Sequence, residues 1–262
     1  TVDEIKVWSE ASNVALGTEP SAEPRLAAAR AQLAAQTYWH GAYEDRLANP
    51  IQDILSDLAH ADFDDPDTPT GETRKLEFPE VYSIIKQLMV AGNETTAKFL
   101  NETMRLLIDH PDVWATIEQD VDGHINGLVE EGLRLSSPNQ GMFRFVTTET
   151  EIDGVSIPEG STVWVIFGAA NRDGAVFADA ETFDPTRENL NDHVSFGKGH
   201  HFCIGAPLSR LEGRVAFQEL LTRVELPRFA PGNTFDYEPS FILRGLAQLD
   251  LEVTKRSKNR EH

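Results

Sequence analysis

The sequence predicts a mainly α protein with small β-sheets, an α+β chain in which long helices dominate. Apolar residues recur at helical spacing through most of the N-terminal half, and runs rich in Val, Ile, Phe and Thr follow Pro138. At 262 residues with 40% hydrophobic content, the chain can bury a sizeable core and is long enough for one large domain or two small ones. No internal repeat divides it.

From Val2 to about Leu58, an Ala-, Leu- and Glu-rich stretch carries Leu26, Leu33, Tyr38 and Trp39 at helical spacing. It is broken near Gly17 to Pro24 and at Pro50, so two or three helices are expected. Ala61 to Thr73, dense in Asp and Pro, reads as an acidic surface loop. A long helix then runs from about Phe78 to Asp109, because Val81, Ile84, Ile85 and Leu88 fall on one face and His110-Pro111 closes it. Asp122 is a candidate N-cap for the next helix, through Ile125, Leu128, Val129 and Leu133, and Pro138 marks its end. Phe143 to Thr148 and Val155 to Phe167 are expected as short strands, with turns at Asp153-Gly154 and Pro158-Glu159-Gly160. A turn-rich stretch leads to Ser195 and a Gly-rich loop, and a last long helix covers about Ala206 to Val224.

Lys and Arg number 23 against 43 Asp and Glu, a net charge of -20 that repels phosphate backbones and anionic lipid surfaces. Nucleic acid is not an expected partner. The one cysteine cannot form an internal disulfide, which fits a reducing cytoplasm. No run reaches the ~18 to 20 apolar residues of a membrane span. The chain starts at Thr1 without a signal-peptide pattern, and an upstream segment is expected to be missing.

The informative segment is Phe196-Gly197-Lys198-Gly199-His200-His201-Phe202-Cys203-Ile204-Gly205-Ala206-Pro207. It places a cysteine at a helix N-terminus, where unpaired amides and the helix dipole stabilise a thiolate. Taken alone, a single cysteine is more often an inert buried thiol; the glycines, His201 and Phe196 favour a ligand or a nucleophile. Gly92, Glu94 and Thr95 interrupt the long helix with a glycine that costs ~1 kcal/mol there, so packing or chemistry selects it. Glu131 and Arg134 have the spacing of an ordinary surface ion pair.

The cysteine loop resembles the haem-binding signature of cytochrome P-450s, a Phe and glycines at fixed spacing around an axial Cys with a His two residues before it. The wording from Gly205 to Glu212 is similar to the soluble bacterial branch, and the fold implied is the C-terminal portion of the P-450 fold. The family's N-terminal part is absent.

The resemblance implies haem b (iron protoporphyrin IX) as cofactor, with Cys203 as metal ligand. Phe196, Gly197 and Gly205 would shape the ligand loop, while His201 and Arg144 would hold haem propionates. Ala91 and Gly92 would leave room above the haem, Thr95 would hydrogen-bond dioxygen, and Glu94 would relay protons. Glu131 and Arg134, with Arg187 from Phe183-Asp184-Pro185-Thr186-Arg187, would form a buried structural charge network. Asn139 to Phe143 and Phe241 to Gly245 would line the substrate side.

The activity implied is a haem-thiolate monooxygenase acting with O2 on a small apolar organic substrate. Its electrons would come from a separate ferredoxin and ferredoxin reductase, since the chain has no dinucleotide fingerprint and no iron–sulfur cysteine set. Lys198, Arg210 and Arg214 offer a basic face for such a donor, or charges that simply solvate the helix. Two other readings stay open: a non-catalytic haem-binding or sensor protein, and a cysteine hydrolase using Cys203 with His200 or His201.

Overall fold

The structure, a computed structural model, describes residues 2–13, 21–65 and 73–257. Eight helices, α1 (Val2–Asn13), α2 (Ala22–Ala48), α3 (Ile54–His60), α4 (Phe78–Asp109), α5 (Pro111–Gln119), α6 (Val121–Ser136), α7 (Phe167–Ala170) and α8 (Ala206–Arg223), carry most of the described residues. Eight short strands form four two-stranded antiparallel sheets: β1 (Asp62–Asp64) with β2 (Thr73–Lys75), β3 (Gly141–Phe145) with β6 (Thr162–Ile166), β4 (Thr150–Ile152) with β5 (Val155–Ile157), and β7 (Arg228–Phe229) with β8 (Leu251–Glu252). The expected mainly α architecture with small sheets is the one observed. Among the described residues no helix is long and apolar enough to cross a membrane.

The chain divides into two compact units, Thr1–Asn93 and Glu94–His262. In the first, Gln32 of α2 donates to the Trp8 carbonyl (3.1 Å) and to Ser12 Oγ (2.7 Å) of α1. Its core gathers Tyr43, Leu55, Ala59, Val81 and Ile85. Asp53 caps α3 by accepting from Ser56 N–H, and the Arg46 hydrogen bond, with that amide, holds its carboxyl at about 2. Leu26 and Leu33 do not join this core; both are more than half exposed. They lie seven residues apart on one helix face, whereas the buried Ala35 and Tyr43 of α2 lie on another. The acidic stretch is likewise more ordered than a plain loop: Asp62–Asp64 pairs with Thr73–Lys75, and Arg74 bridges Asp65 and Glu80. Residues 14–20 and 66–72, where the first helix break and most of that loop were expected, lie outside the described residues.

The second unit packs the later half of α4 with α5, α6 and α8 around Phe99, Leu107, Trp114, Leu128, Phe217 and Leu221. α4 has the expected limits. The cap of α6 is Asp120 rather than Asp122: the Asp120 carboxylate accepts from Gly123 N–H at 3.0 Å, while Asp122 accepts from Gln218 of α8. At the other end Ser137 adopts a left-handed conformation (φ 36°), held because its hydroxyl donates to the Arg134 carbonyl and accepts from Asn171. The reversal turns the chain into β3, which starts at Gly141, two residues ahead of expectation. Asp153 and Gly154, both at positive φ, form the tight turn between β4 and β5.

Candidate active site

The cysteine loop runs from Phe196, through a 3₁₀ turn at Gly199–His201, to Gly205 at the start of α8. Gly197 (φ 69°) and Gly199 (φ 74°) take left-handed conformations that a side chain would strain, and they fold the loop back on itself. The Cys203 N–H then donates to the Phe196 carbonyl at 3.0 Å, closing the loop two residues before Gly205, the N-cap of α8. A Cβ on Gly205 would sit 3.7 Å from the Cys203 sulfur, in ordinary contact. Cys203 is exposed, and its neighbours Phe202 and Ile204 are 50% and 90% exposed. Hydrophobic side chains left open on both sides of a thiol suit a large apolar group laid over the loop.

Two inputs pin this loop from behind. Asn171, fully buried at the end of α7, accepts from Val194 N–H (2.7 Å) and donates to Ser137 and Ser195 hydroxyls (both 2.8 Å). Glu130 of α6 accepts from Arg210 of α8 (2.7 and 2.9 Å) and pairs with His193 Nε2 (2.9 Å). Burial alone would raise the Glu130 carboxyl, but the hydrogen bonds from His193 and Arg210 outweigh it and hold it at about 2. The Arg210 guanidinium also stacks over the Phe196 ring, 4.6 Å from its centroid. Arg210 is therefore part of the loop's scaffold rather than a free docking charge; Lys198 is exposed and Arg214 half-buried.

Behind Asn171 lies the charge network. Glu131 and Arg134 have no exposed surface and meet at 2.7 and 2.8 Å, with Arg187 joining at 3.2 Å. Arg134 also donates to the carbonyls of Asn171 and Ala180, both at 2.7 Å, and sits over the Phe177 ring. One continuous hydrogen-bonded path thus runs from Glu131 through Arg134 and Asn171 to the start of the ligand loop. Glu130, His193 and Asn171 carried no recognised spacing; the only sequence signal was that Glu130 abuts Glu131 and His193 precedes the loop.

The other expected site residues are distributed as follows. Arg144 is exposed on β3, donates only to the adjacent Phe143 carbonyl, and has no carboxylate partner among the described residues. His201 is exposed in the 3₁₀ turn, and no hydrogen bond joins the Cys203 sulfur to His200 or His201. The pairing of thiol and imidazole that a cysteine hydrolase uses is therefore not formed here. Thr95 is half-buried on α4, and Glu94 is tied to Lys98 at 3.2 Å. Ala91 and Gly92 belong to the first unit. A Cβ on Gly92 would meet nothing within 4 Å among the described residues, so none of their packing contacts accounts for that glycine. The strand and hairpin expected near substrate do meet, since Asn139 bridges Leu243 and the rings of Phe143, Trp164 and Phe241 lie 5.7 to 6.1 Å apart.

The residues present fit a haem. Among the described residues no three His, Cys, Asp or Glu side chains are placed to hold a bare metal ion. An iron bound by Cys203 would take its remaining ligands from a porphyrin, and Arg144 and His201 are exposed cationic or hydrogen-bonding groups of the kind propionates need.

A family model for cytochrome P450 matches residues 28–243. Cytochrome P450 107B1 of Saccharopolyspora erythraea is 36% identical over 250 residues, 94% of this chain and 57% of that protein. From the same organism, 6-deoxyerythronolide B hydroxylase is 38% identical over 80% of this chain and 50% of its own length. The solved structure of cytochrome P450 CYP109Q5 from Chondromyces apiculatus superposes with a TM-score of 0.83 at 33% identity, covering 97% of this chain and 60% of that one. The chain thus spans 50% to 60% of the length of these three relatives. A match of this extent, on a backbone this similar, makes the chain a member of the cytochrome P450 family.

Proposed function

We propose that the complete protein is a haem-thiolate monooxygenase, a single haem domain of which residues 1–262 form about half. The exposed Cys203 sulfur in its glycine-shaped loop is the observation that carries this reading. Overall the reaction is substrate C–H plus O2, two electrons and two protons giving C–OH and water. Haem b, when bound, supplies the reductive activation of O2 and the transfer of one oxygen atom.

Each role falls to a named side chain. Cys203 supplies the anionic sulfur, and the Phe196 carbonyl, by accepting its N–H, fixes where that sulfur points. Phe196, Gly197 and Gly205 keep the loop backbone tight against α8, and Arg144 and His201 neutralise or hydrogen-bond the propionates. On α4 Ala91 keeps the helix surface small, Thr95 offers a hydroxyl to dioxygen, and Glu94 hands protons inward from solvent. Phe143, Trp164 and Phe241 form an aromatic wall suited to a small apolar substrate. Electrons come from a ferredoxin with its reductase, and a cytoplasmic setting fits the single free thiol.

The test is the spectrum of the reduced, CO-bound complete protein. A strongly red-shifted Soret band that Cys203→Ser abolishes is expected. A colourless protein after haem supplementation, or an unaltered spectrum in the variant, overturns the proposal.

A further inference from the structure

Lys98 is a buried cation that none of the roles above uses. Its side chain is 4% exposed, yet its ammonium has two acid partners: Glu94 Oε2 at 3.2 Å, one turn back on α4, and Glu238 Oε2 at 2.6 Å, far along the chain. Glu238 belongs to a hairpin in which Tyr237 bridges Leu246 and the Glu238 N–H donates to the Gly245 carbonyl. The hairpin backbone rests directly on the Lys98 stem: a Cβ on Gly245 would fall 2.6 Å from Lys98 Cβ. At its tip Phe241 packs against Phe143 and Trp164. One lysine therefore clamps the hairpin that closes the aromatic wall to the carboxylate assigned to proton delivery.

A lysine ammonium is a compact point charge with three donors, and burying it is costly unless acids surround it. Glu238 is 41% exposed and lets go to water more readily than Glu94, which is 14% exposed. A shift of the hairpin alters how Lys98 divides itself between the two acids, and so how firmly Glu94 is held. We infer that Lys98 is a positioning residue that locks Glu94 to the Tyr237–Leu246 hairpin and couples the packing of that hairpin to proton delivery. The inference rests on the monooxygenase reading, in which Glu94 is the relay.

The experiment compares the complete holoprotein with Lys98→Met, which keeps the stem and removes the charge, and with Glu238→Gln, which frees the hairpin while leaving Lys98 on Glu94. Two readouts are taken: product formed per electron consumed, with its solvent isotope effect, and amide hydrogen exchange at Glu238 and Ala247, which needs no turnover. Both variants are expected to exchange faster at these amides and to lose product per electron several-fold, with the CO-bound spectrum unchanged. Faster exchange with an unchanged product yield overturns the coupling while leaving the monooxygenase reading intact. Unchanged exchange overturns the clamp itself. Should Lys98→Met not fold, Glu238→Gln decides alone by the same two readouts. A parent protein without a thiolate-type spectrum overturns the functional reading and this inference with it.

Discussion

Thr95 and Glu94 follow one another on α4, but they are differently constrained. Glu94 already has a cation on its carboxylate, so only Thr95 can be altered without releasing a buried charge. Thr95→Ala is expected to keep the haem spectrum and lower the product formed per electron; an unchanged yield removes Thr95 from the proton path. Glu130 offers a second single-residue test. Its carboxyl lies well below its ordinary value of 4.5, at about 2, so it contributes stability above the ordinary value that is lost as pH falls toward 2. Glu130→Gln should flatten that part of the acid-unfolding curve, measured by circular dichroism between these limits.

Among the elements, α6 and α7 do the most to place the loop. Asp120→Ala removes the α6 cap and is expected to cost about 1 kcal/mol in urea unfolding. Asn171→Ala should cost more, about 1–3 kcal/mol for each group left buried and unpaired, because the Val194 amide loses its acceptor. Helix α4 was legible because its apolar stripe is long and His110-Pro111 ends it. Asp120 was not distinguishable from Asp122 by residue type, since only the backbone geometry decides which carboxylate reaches Gly123. Leu26 and Leu33 announced the helix that contains them but not its buried side, since spacing shows that two residues share a face, not that the face is covered.

Over the whole second unit, the buried Glu131–Arg134–Arg187 group stands at one end of a hydrogen-bonded path whose other end is the ligand loop. Arg134→Leu strands the Glu131 charge without its main partner and is expected to destabilise the protein by about 3–5 kcal/mol, with faster haem loss. Equilibrium unfolding and haem-transfer rates measure both. The sequence motif located the three charges; it could not reveal that Asn171 and Ser195 carry their influence onward, because those contacts join residues far apart in the chain.

The sulfur at position 203 is the sole thiol in residues 1–262 and is exposed. Within these residues a maleimide dye therefore has a single place to react, and on the reading proposed above it is expected to react only where the iron seat is vacant. The labelled fraction of the peptide that carries position 203, read by mass spectrometry, is then expected to fall as haem is supplied, which makes it a gauge of cofactor loading.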